Sequence, residues 1–146
     1  MEEESWAVYK KTKHRIGFRP PEGREFRLPR HLLPEAFAVG EAVGAAFEQR
    51  SQEAVLVVEL GVEHPEVVQN VDPPPDPLTD RWIVWKRHEE WTGITGAPLS
   101  EGQMKTTGKF KLPPPLVPDD AGPGDQCLVL ARVEDRTAQW MVKLNK

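Results

Sequence analysis

Residues 26–60, with the sequence FRLPRHLLPEAFAVGEAVGAAFEQRSQEAVLVVEL, align without a gap to residues 110–144, FKLPPPLVPDDAGPGDQCLVLARVEDRTAQWMVKL. The offset is 84 throughout, and nine of the 35 aligned positions are identical. Chance at ordinary amino-acid frequencies gives roughly two identities over this length. The alignment therefore predicts one unit that is present twice. The identical pairs are Phe26/Phe110, Leu28/Leu112, Pro29/Pro113, Leu32/Leu116, Pro34/Pro118, Gly40/Gly124, Ala54/Ala138, Val58/Val142 and Leu60/Leu144.

A second match lies upstream of the first. Residues 6–11, WAVYKK, align with residues 82–87, WIVWKR, at an offset of 76. The two blocks have the same order in both halves, so the second half carries eight additional residues. These are placed in the Gly- and Thr-rich stretch 91–107.

The boundary between the halves is marked by proline. Prolines in residues 72–80 cannot supply N–H groups to a β-ladder, so this segment is predicted to be a stiff linker. The predicted organisation is a first β unit at 1–71 and a second at 81–146, which either share one core or form two lobes.

Alternation of apolar and polar residues predicts that each unit consists of β-strands. A short helical turn is expected after Pro29, and glycine turns at Gly40–Glu41 and Gly124–Asp125. The predicted fold class is mostly β: a pseudo-twofold duplicated small β-barrel, or a two-lobed β-sheet protein, with short helical turns. The predicted strands are 6–9, 26–28, 42–47, 54–60, 82–85, 110–112, 126–133 and 138–144.

Composition limits the class of protein. The chain has 146 residues with five Trp and 15 Pro, and its net charge is −4. The segment Met1–Ser5 is acidic where a signal peptide is basic, and no apolar run reaches the roughly 18 residues of a membrane span. A single cysteine, Cys127, excludes a disulfide framework and is predicted to be a buried, inert thiol. We expect a cytoplasmic globular protein without a membrane partner, and the oligomeric state stays open.

Positive charge is concentrated in one segment. Residues 10–31 carry eight Lys or Arg and two Glu, a net of +6, so the rest of the chain carries −10. Lys and Arg neutralise phosphates, and planar rings beside them stack on bases or anchor a protein contact. Lysines that only keep strand ends soluble are the structural alternative. The candidate binding residues are Lys10, Lys11, Lys13, Arg15, Arg19, Arg24, Arg27, Arg30, Lys86, Arg87, Trp85 and Trp91, with assistance from Lys105, Lys109 and Lys111.

Catalytic and metal-binding signatures are absent from the sequence. It contains no Gly-rich phosphate loop, no His-Glu-x-x-His and no Gly-x-Ser-x-Gly. The histidines, at 14, 31, 64 and 88, have no ligand spacing. His88-Glu89-Glu90 has the composition of an acid–base site, but nothing nearby predicts its burial. We therefore predict that the chain is not an enzyme and uses no cofactor or metal. A small-ligand barrel or enzyme stays as a minor alternative.

The segment Gly23–Pro29 and the two glycine turns resemble a known pattern. They are similar to the AbrB-type swapped-hairpin unit of bacterial transition-state regulators and antitoxins, one of the cradle-loop barrel families. The resemblance covers about 20 residues in each half, and Pro34, Pro115 and Pro118 interrupt the helix that the family has after this strand. It implies that two units form a pseudo-dimeric barrel that binds DNA or a protein partner.

Two functional hypotheses of different classes follow. In the first, the chain is a non-enzymatic, transcription-regulator-like protein that binds nucleic acid through its basic face. In the second, it is a protein-interaction module or inhibitor that binds a macromolecular partner such as the transcription machinery or a toxin. Here Tyr9, Trp85, Trp91 and arginine residues are the anchors, and the overall negative charge of the chain keeps nucleic acid away.

Overall fold

The computed structural model describes residues 2–62, 78–96 and 108–145. The described residues are mostly β-strand, in one antiparallel sheet that curves into a nearly closed barrel. Two single 3-10 turns, Arg30–Leu32 and Pro114–Leu116, interrupt the strand succession. The strands are β1 Glu2–Lys11, β2 Arg15–Arg19, β3 Phe26–Pro29, β4 Ala42–Gln49, β5 Glu53–Leu60, β6 Leu78–Arg87, β7 Thr92–Gly96, β8 Lys109–Leu112, β9 Gln126–Val133 and β10 Thr137–Asn145.

The strand order in the sheet is β3-β2-β1-β4-β5-β10-β9-β6-β7-β8. The end strands β3 and β8 lie against each other, although no ladder joins these two described strands. We call this junction the seam. Both halves have the same succession of elements: three strands, a 3-10 turn and two strands. Their origin in a duplicated ancestor stays a prediction.

The inside of the barrel is one hydrophobic cluster with side chains from both halves. Trp6, Trp82 and Trp140 are each at most 1% exposed, and the rings of Trp82 and Trp140 meet edge to face at 5.9 Å between centroids. Trp6 packs against Phe26 in the same manner at 4.8 Å. Large rings with both faces covered account for much of the buried apolar surface, and this burial is the main stabilising term of such a fold.

The predicted strands all lie within observed strands, and Ala-rich segment 42–47 is indeed strand in β4. Two strands, β2 and β7, were not predicted. β2 lies within the positively charged segment 10–31, yet Ile16 and Phe18 face the core while Arg15, Gly17 and Arg19 face outwards. Charge on one face does not prevent a strand when only the other face is buried.

The predicted linker, residues 72–80, lies mostly outside the described residues. Its last three residues, Leu78–Asp80, are the first residues of β6. The Asp80 carboxylate is fully buried and accepts the indole N–H of Trp82 at 3.1 Å. The ladder of β6 with β9 begins at Leu78, opposite Ala131, so the strand starts three residues before the proposed boundary at residue 81. No helix in the described ranges is both long and apolar enough to cross a membrane.

Candidate functional site

Tyr9 and Trp85 each occupy a β-bulge at an equivalent place in their half. Pairing of β1 with β2 jumps from Val8 to Lys10, and pairing of β6 with β7 jumps from Val84 to Lys86. Each bulge leaves one aromatic residue without an opposite partner on the neighbouring strand.

The glycine turns determine where these bulges occur. Gly40, with a φ of 94°, donates its N–H to Val8 O at 2.9 Å, and Val8 N–H donates to Glu41 O at 3.0 Å. Gly124, with a φ of 91°, donates to Val84 O in the same way at 2.7 Å. Positive φ is inexpensive only for glycine. Each turn thereby continues the pairing of β1 with β4, or of β6 with β9, as far as the residue before the aromatic side chain. That residue is Val8 in the first half and Val84 in the second.

Each of the two aromatic rings lies against a glycine of the adjacent strand. A Cβ added to Gly17 would come within 2.7 Å of Tyr9 Cε1, and one added to Gly93 within 2.4 Å of Trp85 Cε2. Both contacts are closer than any side chain permits, so only glycine lets the ring lie against the backbone. Covering of a strand glycine by an aromatic ring is a recognised way to stabilise a sheet.

The outward residues beside these rings form a continuous line across six strands. Lys10 is opposite Gly17, and Gly17 is opposite Arg27. On the other side of the seam Lys86 is opposite Gly93, and Gly93 is opposite Lys111. Residues directly opposite each other in antiparallel strands project from the same face. We call the four exposed cations, Lys10, Arg27, Lys111 and Lys86, the cationic row.

A groove of about 550 Å³ lies over the seam. Four of the residues that line it are cationic and one, Glu25, is acidic. Arg19 binds the Glu25 carboxylate at 2.7 Å. Because Glu25 is already paired with Arg19, it does not neutralise the four cations of the groove. The lining residues are Tyr9, Arg15, Glu25, Phe26, Arg27, Trp85, Lys109, Phe110 and Lys111.

Cations and rings are in direct contact around this groove. The Arg15 guanidinium lies 4.5 Å from the Phe110 ring centroid, and Lys109 Nζ lies 5.8 Å from that of Trp85. Lys111 Nζ is 4.6 Å from the ring centroid of Trp91. Within the described residues, neither Arg27 nor Lys111 has a carboxylate partner, so both cations are available to an anion.

Other predicted cations lie away from the groove and are used within the fold. Lys11 and Arg30 converge on Glu35: Arg30 Nη2 is 2.9 Å from its carboxylate, and Lys11 Nζ binds its backbone oxygen at 2.7 Å. The hydrogen bond and charge of Arg30 lower the pKa of the Glu35 carboxyl. Arg24 lies 3.8 Å from Glu90 in the turn after β6.

The remaining predicted residues have mixed environments. Lys13 is exposed in the β1–β2 turn. Arg87 has a buried Nη1 atom with no hydrogen-bond partner among the described residues. Trp91 stacks on the His88 ring at 5.4 Å, beside Lys86. Lys105 lies outside the described residues. The structure thus places the predicted residues Arg15, Arg27 and Trp85 around the groove, with Lys10 and Lys86 at the two outer ends of the cationic row. Lys11, Arg24 and Arg30 lie apart from them.

The described part of the chain contains few groups that are suited to catalysis. Cys127 is buried as predicted, and burial followed by the charge of Asp125 raises the pKa of its thiol to about 11. A thiol with this pKa is not a nucleophile near neutrality. No group of three potential metal ligands occurs in the described ranges. Glu89 and Glu90 are exposed.

Sequence reasoning missed the two glycines beneath the rings. The signal was present, since the offset of 76 that pairs Tyr9 with Trp85 also pairs Gly17 with Gly93. An isolated glycine within an apolar alternation indicates close approach of another group to the backbone.

Comparisons of the chain with family models, with curated proteins and with solved structures give no match.

Proposed function

We propose that the chain is a non-enzymatic nucleic-acid-binding protein of regulatory type, and that its interface is the cationic row together with the groove over the seam. The observation that supports this most strongly is the line of four exposed cations across six strands, with an aromatic ring on each side of the seam. Phosphates are the natural ligands of such a line, because Lys and Arg there release counterions from a polyanion.

The proposal explains how a chain of net charge −4 binds a polyanion. Attraction depends on the local field at the contact and not on the total charge, and salt screens charges that are more than about 10 Å away. The four cations of the row and Lys109 act at contact distance. Acidic residues elsewhere keep the other faces of the barrel free of nucleic acid.

Fluorescence anisotropy with labelled DNA and RNA, single-stranded and duplex, tests this proposal. Four contacted phosphates predict a slope of log K against log salt of about −3 for single strands and about −4 for duplex. Arg27→Gln and Lys111→Gln are each expected to weaken binding and to reduce the slope by about one.

The matched control is Arg132→Gln. Arg132 is exposed on β9 and pairs with Glu134 at 2.7 Å, outside the groove. It should bind as the wild-type protein does. Absence of binding to every probe at low salt would disprove the proposed function.

A protein-interaction module is the second candidate, and one observation favours it. A hollow of about 250 Å³ is lined by Pro113–Pro115 and Trp91 together with carboxylates that include Glu2 and Glu22. Prolines and a tryptophan beside carboxylates suit a basic peptide. Such a partner would bind independently of Arg27, and Trp91→Ala would abolish its binding, as measured by titration with a basic proline-containing peptide.

A further inference from the structure

We infer that the ligand is a single strand, that Tyr9 and Trp85 are two base-stacking platforms, and that the phosphates between them bind Arg27 and Lys111. This inference rests on the proposed function. It adds the state of the nucleic acid and the direction in which it crosses the barrel.

The two aromatic rings have fixed positions on the barrel wall. Each is fixed from beneath by a glycine, at closest approaches of 2.7 Å for Tyr9 and 2.4 Å for Trp85 to the missing Cβ. Trp85 is nevertheless 40% exposed, among the most exposed large apolar side chains of the described residues. Gly93 lies beneath the indole, and Trp91 and Lys109 lie 5.5 and 5.8 Å from its ring centroid, so a base would stack on the part of the ring that these neighbours leave exposed. Supported rings of this kind lose little entropy when a flat group stacks on them.

The accessible faces of bases differ between duplex and single-stranded nucleic acid. In a duplex the faces of the bases are stacked on each other, and only their edges are accessible in the grooves. In a single strand every base offers a face, and stacking on an aromatic side chain is tolerant of sequence. Rings in a groove lined by cations therefore match an unpaired strand.

The two rings are too far apart for neighbouring stacked bases. The rings lie over β2 and β7, which are three strand positions apart across the seam. Hydrogen-bonded strands are about 4.8 Å apart and the β3–β8 contact, which has no ladder, is no closer, so the path along the barrel wall from one ring to the other is about 14 Å. Stacked bases rise only about 3.4 Å each. Neighbouring stacked bases thus cannot occupy both platforms, and the strand must cross the seam with its bases splayed.

Two cations lie between the platforms. Arg27 on β3 and Lys111 on β8 are the residues opposite Gly17 and Gly93. A backbone that passes from one ring to the other meets these two cations, with Lys109 beside Trp85. Lys10 and Lys86 lie at the outer ends of the row. The order of ring and charge therefore follows the order of base and phosphate in a crossing strand.

The experiment measures affinity for four labelled probes: a single-stranded oligonucleotide in DNA and RNA forms, its duplex, and an abasic oligonucleotide of the same length and charge. The proteins are wild type, Trp85→Leu, Tyr9→Leu, and the conservative Trp85→Tyr and Tyr9→Trp. Leucine still covers the glycine, and thermal unfolding of each variant checks that the fold is retained.

We expect the single strands to bind most tightly. Trp85→Leu and Tyr9→Leu should each weaken that binding by roughly tenfold, the order of one base-stacking contact. Trp85→Tyr and Tyr9→Trp should bind the single strands about as tightly as wild type does. The slope of log K against log salt should stay unchanged in all variants because no phosphate contact is lost. The duplex and abasic probes should bind more weakly and not distinguish wild type from Trp85→Leu.

Two results overturn the inference in distinguishable ways. Equal binding of duplex, abasic and single-stranded probes, with neutral leucine variants, rejects the platforms and leaves nucleic-acid binding by charge alone. If no probe binds at low salt, the proposed function is rejected, and the base-stacking platforms are rejected with it.

Discussion

Single hydrogen bonds in this barrel differ in importance because their burial differs. Both halves place a carboxylate two residues before a core tryptophan: Glu4 accepts Trp6 Nε1–H at 2.8 Å, and Asp80 accepts Trp82 Nε1–H at 3.1 Å. The first pair is only partly buried, whereas Asp80 is fully buried and also lies 3.2 Å from His31 Nε2. A buried donor that loses its acceptor has no water to replace it.

Asp80→Ala is expected to lower the free energy of unfolding by about 3 kcal/mol, and Glu4→Ala by about 1 kcal/mol or less. Urea denaturation of the two variants measures both values. Asp80→Asn retains an acceptor oxygen and should fall between them. Equal losses at the two positions would contradict the role assigned to burial.

The thiol of Cys127 predicts a pH dependence of stability. Its pKa is about 11 in the folded chain, against about 8.5 for an exposed thiol. Between these values the folded state keeps a proton that the unfolded state has released. The free energy of unfolding therefore falls as pH rises from about 9 to about 11, by up to about 1.4 kcal/mol per unit. Cys127→Ala should lack this part of the slope, and identical slopes in the two proteins would contradict the assignment.

At the scale of elements, the bulge and the glycine together determine where the aromatic ring lies. The ring is the part that can move, since the strand backbone is held in its ladders. A methyl group at position 93 would therefore push the Trp85 indole away from the sheet and leave the sheet intact.

Gly93→Ala should weaken single-strand binding nearly as much as Trp85→Leu does, while the free energy of unfolding changes by less than about 1 kcal/mol. In the Trp85→Leu background the same substitution should have little further effect on affinity, because the displaced ring is already absent. Additive losses of affinity in the double variant would show that Gly93 acts by another route.

The sequence predicted those elements in which the inward face alternates clearly, such as β9 and β10. It could not predict β2 and β7, where arginine, glycine and threonine conceal a short inward pattern. The bulges could not be predicted from the sequence either, because each depends on a hydrogen bond from Gly40 or Gly124 to a strand that is distant in sequence. The sequence allowed prediction of the residue types of the candidate site but not of which residues are neighbours in the fold. Arg27 and Lys111 lie near each other only because the barrel closes.

At the scale of the molecule, each half holds the 3-10 turn of the other. Trp140 Nε1–H donates to Leu32 O at 2.7 Å, and Gln49 Nε2 donates to Pro114 O and Val117 O at 3.1 and 2.9 Å. The β5–β10 ladder also joins the halves. With one shared core, neither half is expected to unfold alone.

Gln49→Leu should therefore lower the free energy of unfolding by about 1–3 kcal/mol and retain a single transition. Near-ultraviolet circular dichroism and far-ultraviolet signals are expected to change together. Gln52→Leu is the control, because its bond to Asp120 is exposed, and it should change stability by less than about 0.5 kcal/mol. Two separate transitions would contradict the coupling of the halves.

The seam has a mechanical consequence. In the described sheet, neighbouring strands are fastened by ladders except where β3 meets β8, so circumferential tension is borne there by side chains alone. Radial breathing should be greatest at this point, and amide hydrogens of β3 and β8 should exchange with solvent sooner than those of β5 and β10. A polymer bound across the gap would resist that breathing and slow the exchange. Occupancy of the site would then be readable from the rigidity of the barrel wall.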